Sequence, residues 1–475
     1  MTADPVKPAF VRDRDDEWRR LAGAWASERP EVVFVIGRRR VGKSFLLAPF
    51  ASAVEGIYYQ ATRRTESEQL RSLARIAGER LGDAALQRGA SLPDWEALFE
   101  LLLDRAGSDR FLVAIDEFPY LEAASPALPS VLQSLIDHRF PGSRLKLVLS
   151  GSHVSAMKRL QEADQPLYAR RTERVVLSPF SYLDAAAFVP AYTPQDRIRA
   201  YGIFGGLPGH LSLLDPGEEL AVNVQRQMLD SGARLYDEAQ RLLDAFLGDA
   251  EIHYSIIEAV AAGKRAWSGI SSRVGKSSGS LSRPMAWLID MEMVRRDVPM
   301  TVGRPSRSKR AVYTLTDPYL AFWHQFVSPL IQAGVPDTAS PERMWKGSIR
   351  PRLDEYMGPV FEEVCRQAVH ARPNLFPFEP YRIGSWWSAD AREQVDVVAV
   401  SEAGDLLVGE CKWGAVGGAD LHALERRAKL ITAEMRTDAS VHLALFSGSG
   451  RADAAVREAA ARGLVLFLSA EHLFG

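Results

Sequence analysis

The stretch EVVFVIGRRRVGKSFLLAPF, residues 31 to 50, restricts the fold more than any other part of the chain. Val32 to Ile36 predict a short buried strand, GRRRVGKS is a loop from Gly37 to Ser44, and an amphipathic helix is expected from near Lys43. That strand, loop and helix order is what gives G-x-x-x-x-G-K-[ST] its meaning. Gly37 and Gly42 let the backbone fold tightly, so that the amides of Arg38, Arg39, Arg40 and Val41 and the helix start through Phe45 face phosphate oxygens. Lys43 is placed to neutralise the β- and γ-phosphates, and the Ser44 hydroxyl to hold Mg²⁺.

A phosphate loop needs a second strand to carry a carboxylate toward the metal. RFLVAIDEFPYL supplies one: Leu112 to Ile115 are apolar, and Asp116 and Glu117 follow at the end of the strand where a parallel sheet binds its ligand. Asp116 is expected to bind Mg²⁺ and Glu117 to polarise the attacking water. Between these strands lie GIYYQAT, residues 56 to 62, a further predicted strand, and about 45 residues of helical pattern up to Asp104. This inserted strand resembles the ASCE division of P-loop proteins, which implies an AAA-like ATPase. The resemblance gives the polar group after the next strand, RLKLVLSGSHV, a role in sensing the γ-phosphate, with Ser150 or Ser152 as the residue. It also implies an arginine, Arg170 with Arg171 beside it, that reaches the γ-phosphate within one subunit or from a neighbouring copy in a homo-oligomer. Gly205, Gly206 and Pro208 of YGIFGGLPGHL predict a turn ahead of a helical segment, a lid or sensor-like turn if it touches nucleotide.

Residues 250 to 315 change character. Three helical segments, EIHYSIIEAVAAG, WSGISSRVG and SSGSLSRPMAWLIDMEMV, precede two strand-like runs around a basic turn, which predicts a winged helix. Lys264, Arg265, Arg273, Lys276, Arg283, Arg295, Arg296, Arg304, Arg307, Lys309 and Arg310 would give it a phosphate footprint on DNA, with the third helix in the major groove and the wing on the backbone. An aromatic helix closed by Pro329 and an irregular linker to about residue 350 are expected next.

The C-terminal part carries a different chemistry. A helix holding Glu362 comes first, then strands Val395 to Val400 and Leu406 to Lys412 joined by a Gly-Asp turn. Strand alternation puts Glu410 and Lys412 on one face, and Asp396 can meet them from the neighbouring strand. This is the PD-(D/E)xK arrangement: Asp396 and Glu410, with Glu362, would hold Mg²⁺, and Lys412 would orient or activate water.

In their order, GRRRVGKS, IDEFPYL, LSGS, GGLPGHL, DPYLAFWHQFVSP and GSWWSADAREQVDVVAV with VGECKW resemble the prokaryotic, archaeal-type P-loop ATPases that add a winged helix and a C-terminal PD-(D/E)xK nuclease-like domain. The resemblance covers nearly the whole chain and implies ATP as the nucleotide. Where that family often has glutamate two places before the strand aspartate this chain has Gln394, next to Glu393, and where it commonly has glycine before its arginine this chain has Ala169.

The expected fold is therefore α/β and multidomain: a P-loop ATPase domain over residues 1–245 with a helical lid after about 180, a winged helix over 246–330, and an α/β restriction-endonuclease-like domain over 345–475. The expected activity is Mg²⁺-dependent ATP hydrolysis coupled to DNA engagement. The alternative is a nucleotide switch whose C-terminal domain binds without cutting. Composition agrees with an ordinary globular protein, at 47% hydrophobic and 25% charged residues, and a net charge of −2 excludes a uniformly basic coat. No apolar run approaches the ~20 residues that cross a bilayer, so no membrane partner and a cytoplasmic location are expected. Cys365 and Cys411 are expected to be small buried hydrophobes rather than a disulfide or zinc pair.

Overall fold

β-Branched and leucine-rich runs make five strands in the first part of the chain: β1 (Glu31–Gly37), β2 (Ile57–Gln60), β3 (Phe111–Asp116), β4 (Leu145–Gly151) and β5 (Glu173–Leu177). They pair in parallel in the order β2-β3-β4-β1-β5. Strands buried on both faces lose the polar alternation of an open sheet, and β4 is buried along its whole length. Even Lys146 of β4 is buried, its Nζ donating to the carbonyls of Ser27, at 2.8 Å, and Arg29. The order inserts β4 between the P-loop strand and the strand that ends in Asp116, so the polar segments that follow these three central strands meet at the carboxyl end of the sheet.

The structure is a computed structural model that describes residues 5–106, 109–244 and 251–475. It divides into two compact units, Met1–Pro179 and Phe180–Gly475. The helices after residue 180, expected as a lid on the first domain, fall in the second unit, and the boundary expected at residues 245 and 246 lies outside the described residues.

In the second unit the helices Glu251–Ala261, Trp267–Val274 and Ser278–Asp290 precede the antiparallel pair β6 (Val294–Asp297) and β7 (Val312–Leu315). Ser277 caps the third helix by accepting from the amide of Ser280. Pro329 does not close the aromatic helix. A π-type turn over Trp323–Val327 shifts the hydrogen-bond register, Pro329 falls in the first turn of Ser328–Gln332, and its missing N–H leaves no gap there. The expected linker is also mostly short helical turns, Pro341–Met344, Trp345–Ile349 and Arg350–Arg352, which lead into the helix Leu353–Ala371.

A mixed sheet follows: β8 (Arg382–Trp387), β9 (Gln394–Val400), β10 (Leu406–Lys412), β11 (Val441–Ser447) and β12 (Leu466–Ser469), in the order β12-β11-β10-β9-β8. The β8, β9 and β10 neighbours are antiparallel; β10, β11 and β12 are parallel. One hydrophobic core runs from Phe180 to Leu473, which explains why the segments after residue 180 group together. Its seams are closed by Tyr182, which donates to the Leu473 carbonyl at 2.8 Å, and Tyr356, which donates to that of Gly202 at 2.7 Å. The glycine pair expected as a lid turn serves packing: a Cβ at Gly206 would lie 2.1 Å from the Phe180 carbonyl oxygen. Among the described residues no helix is long and apolar enough to cross a membrane, and Cys365 and Cys411 are free and buried.

Candidate nucleotide site and C-terminal carboxylate site

The loop after β1 is tight because its backbone requires it. Gly42 has φ 98°, and a Cβ on Gly37 would lie 2.6 Å from the Leu177 carbonyl oxygen. Arg40 also takes a positive φ, of 66°. Val41 is fully buried, and its carbonyl accepts from Arg14 Nη2 at 3.0 Å; the same nitrogen donates to Ser178 at 2.8 Å, a clamp that carries no sequence signal. Arg38 is buried, whereas Phe45 is exposed and packs edge-on against Phe10 with ring centroids 5.4 Å apart.

Lys43 opens the helix Lys43–Ala53 and is buried; its Nζ donates to the carbonyls of Gly37 at 2.9 Å and Arg38 at 3.1 Å. Burial lowers its pKa, opposed by the carboxylates of Glu117 and Asp116, while Arg39 adds to the lowering. Asp116 is fully buried at the end of β3, where its Oδ2 accepts from Ser44 Oγ at 2.5 Å and from the Tyr58 hydroxyl at 2.9 Å. Burial first, then Asp116, raises the Tyr58 pKa, so this phenol stays a donor. Tyr58 was not anticipated; the only trace is its place in the alternating run IYYQ.

Glu117 follows with φ 56°, a left-handed conformation that costs a glutamate energy and is seen most often at functional positions. Its Oε2 accepts from the Ser152 hydroxyl at 2.8 Å and the Ser152 amide at 3.1 Å. Of the two serines considered as sensors, Ser152 thus holds the glutamate. Ser150 is fully buried in β4, and its hydroxyl has no hydrogen-bond partner among the described residues. An ammonium, a hydroxyl and carboxylate already in contact, and an orphaned buried hydroxyl on the intervening strand form a donor set that fits a triphosphate with Mg²⁺.

Arg170 is not brought to this site. Its guanidinium forks onto both oxygens of Asp137, at 2.9 and 2.7 Å, and donates to the carbonyls of Pro166 and Tyr168. Arg171 bonds Gln161. Ala169 has φ 57°, a conformation that glycine adopts without strain.

In the C-terminal sheet, Asp396 and Glu410 stand on neighbouring strands and are both buried. Asp396 Oδ2 accepts from the Cys411 amide at 2.9 Å, and its Oδ1 from Gln394 Nε2 at 3.2 Å. Glu410 is held by two cations, Lys412 at 3.0 Å and Arg427 at 2.7 Å. Arg427 also binds Glu393 at 3.0 Å, so Glu393 is turned to arginines rather than to Asp396. Burial and then Asp396 push the Glu362 carboxyl up to about 7. Among the described residues no three carboxylate, imidazole or thiolate groups lie close enough to hold a metal ion, so Glu362 does not complete a three-ligand set. Arg427 comes from the helix Gly418–Met435, and nothing in its local sequence signals the contact.

The basic turn between β6 and β7 also differs from expectation. Arg310 binds Glu434 at 2.7 Å and the Trp387 carbonyl, and Met300 donates its amide to Ser385 at 2.9 Å, so this turn is fastened to β8. Arg296 is spent on the carbonyls of Pro305 and Ser308, and Arg295 on Asp297 and Glu363. Lys264, Arg265, Arg273, Lys276 and Arg283, with Arg304 and Lys309 in the turn, remain exposed.

Two family models match separate stretches of the chain. Residues 10–214 match the model of an ATPase domain predominantly from Archaea. This chain carries an ATPase domain. Beyond it, residues 323–425 match a family of archaeal and bacterial proteins of unknown function. An uncharacterized protein of Methanocaldococcus jannaschii is 26% identical over 430 residues, 88% of this chain and 92% of its own length. Among solved structures, a Walker-type ATPase of Pyrococcus abyssi is similar at 20% identity and TM-score 0.49, covering 68% of this chain and 99% of that one. The ORC2 protein of Aeropyrum pernix, solved with ADPNP and ADP, is similar at 16% identity and TM-score 0.41, covering 70% and 98%. Lys43, Ser44, Asp116 and Glu117 all lie within the matched residues 10–214.

Proposed function

We propose that the protein is a Mg²⁺-dependent ATPase whose turnover is coupled to DNA engagement by residues 251–475. The observation that carries the ATPase chemistry is the Ser44 to Asp116 hydrogen bond beside the buried Lys43 ammonium. Ser44 and Asp116 would hold Mg²⁺, which would supply charge neutralisation on the phosphate oxygens. Lys43 and the amides from Arg38 to Phe45 bind and orient the triphosphate, and Ser150 offers it a buried hydroxyl. Glu117, once free of Ser152, accepts a proton from the attacking water. Phosphate release by the full chain tests this: Lys43→Ala is expected to abolish turnover, and undiminished hydrolysis in that variant overturns the assignment.

For the DNA arm, three helices before a two-stranded antiparallel pair support the reading as a winged helix, with Arg273 on its second helix, Arg283 on its third and Lys276 in the turn between them as phosphate contacts. The turn that would act as a wing is instead occupied by β8, which favours contact through the helices. The mixed sheet with Asp396, Glu410 and Lys412 supports a PD-(D/E)xK-like domain in which Asp396 and Glu410 would be the metal ligands.

One observation favours a second reading, a nucleotide switch that binds DNA without cutting it: Glu410 is already neutralised by Lys412 and Arg427. A plasmid-nicking assay with Mg²⁺ or Mn²⁺ separates the two. Nicking by the unmodified chain that is lost in Glu410→Ala and Lys412→Ala supports the nuclease; equal nicking by all three supports the switch.

A further inference from the structure

The second unit contains a cavity of about 760 Å³ whose wall includes residues of the Glu251–Ala261 helix, β7, the helical stretch 318–332 and the Leu353–Ala371 helix. That volume lies within the ~300–1,000 Å³ typical of small-molecule sites. Five guanidinium groups line it, against four carboxylates. Two of the five, Arg295 and Arg366, are matched by Glu363 at 3.0 and 3.1 Å. Arg265, Arg273 and Arg352 form no ion pair among the described residues, and Arg352 lies over the Phe326 ring at 5.1 Å.

His324 lies on the same wall and is 6% exposed, yet neither of its ring nitrogens has a hydrogen-bond partner among the described residues. Buried polar atoms are nearly always satisfied, so an imidazole with both nitrogens unmet marks a place where something else supplies partners. Arg265, Arg273 and Arg352 are exposed at the rim of the cavity, where an anion with several oxygens, as in a phosphate, can take the place of the water that otherwise meets them. An imidazole calls for a ligand portion that carries both donor and acceptor atoms, as a base or sugar does. Glu362, which carries the C-terminal carboxylate cluster onto the long helix, is also on the wall.

We propose that this cavity binds a nucleotide-sized phosphorylated ligand, its phosphate met by Arg265, Arg273 or Arg352 and its polar ring or sugar edge by His324. The proposal deepens the reading of residues 251–475 as a nucleic-acid-binding unit, and the ligand is either a free mononucleotide or the end nucleotide of a single strand. A duplex is too wide for such a space, whereas one unstacked nucleotide is the size that flipped-base pockets accept.

Binding to the full chain carrying Lys43→Ala, which silences the P-loop, tests the proposal in the presence of EDTA. The probes are dAMP, followed by calorimetry, and a fluorescein-labelled, 5′-phosphorylated single-stranded hexanucleotide, followed by anisotropy. Arg265→Ala with Arg273→Ala is expected to weaken binding at least tenfold. Ala321→Trp, which pushes a large ring into the cavity beside His324 without changing charge, is expected to weaken it as much. His324→Leu, a change of similar size that removes both nitrogens, should cost at least threefold. Strand binding that dAMP displaces identifies the strand end as the source; uptake of dAMP alone identifies the free nucleotide. The proposal is overturned if neither probe binds, or if Ala321→Trp and His324→Leu both bind as tightly as the parent while the arginine variant does not, which would place the anion on the outer surface. Either failure leaves ATP turnover by the unmodified chain intact, so it is distinguishable from failure of the ATPase reading.

Discussion

Ser44 and Asp116, 72 residues apart in the chain, are joined by a hydrogen bond of 2.5 Å. Two elements that share no sequence neighbourhood therefore arrive with a hydroxyl and a carboxylate in contact, a ready pair of oxygen ligands for a small divalent cation. Ser44→Ala and Asp116→Asn should each raise the Mg²⁺ concentration that half-saturates ATP turnover by at least tenfold. A Mg²⁺ titration that superimposes on the parent's would remove the pair from the reaction.

Glu117 is held by two hydrogen bonds from Ser152. Replacing it with glutamine keeps size and removes basicity, so turnover should fall by about a hundredfold or more while ATP affinity stays within about threefold, the pattern of a group that acts in the transition state. Ser152→Ala removes one of the two bonds that hold the carboxylate. Basal turnover is expected to rise two- to fivefold in that variant, and single-turnover phosphate release reads it directly.

Arg427 bridges Glu393 and Glu410 and so spends the charge that a metal ion would otherwise use. With Arg427→Ala, Mn²⁺ should bind the Lys43→Ala chain at least three times more tightly, as followed by calorimetry. Weaker or unchanged Mn²⁺ binding would argue that Asp396 and Glu410 are not metal ligands.

Burial alone holds the His324 imidazole down at about 4. The unfolded chain takes up this proton at about 6.5. Between about 4 and 6.5 the unfolded state therefore binds more protons, and stability is complete above 6.5 and declines as pH falls toward 4. The cost approaches about 3 kcal/mol at the acid end. His324→Phe should flatten this part of the profile, visible as a smaller drop in urea midpoint from pH 7 to pH 5 than in the parent. An identical drop would mean the imidazole is not held neutral.

Gly206 sits where no side chain fits, with Phe180 donating its amide to the Gly206 carbonyl at 2.7 Å. Gly206→Ala should destabilise the second unit by about 2–4 kcal/mol, the range of a forced backbone shift in a packed core. Thermal unfolding of the variant beside Gly205→Ala would measure it.

The juxtaposition at the candidate nucleotide site is legible in the sequence because its information is local. Gly37, Gly42, Lys43 and Ser44 are fixed by one loop, and Asp116 by one strand end. The Asp396, Glu410 and Lys412 face was legible because period-two alternation carries it. Contacts that depend on helices packing across long separations left no such trace: Arg427 on Glu410, Arg170 on Asp137, and the cavity beneath His324. Pro329 misled for a related reason, since a π-turn earlier in the same helix absorbs the irregularity that a proline ordinarily forces. The helices after residue 180 read as a lid from their glycines, yet their tyrosines and phenylalanines join the core that reaches Leu473.

Arg310 ties the turn between β6 and β7 to the edge of the C-terminal sheet. By its glycine, prolines and basic residues that turn looks like a tip open to proteases and tolerant of insertion, and in the folded chain it acts as a splint. The three-helix segment and the mixed sheet are thereby fastened to each other at this turn, so a displacement imposed on one bears on the other through Arg310.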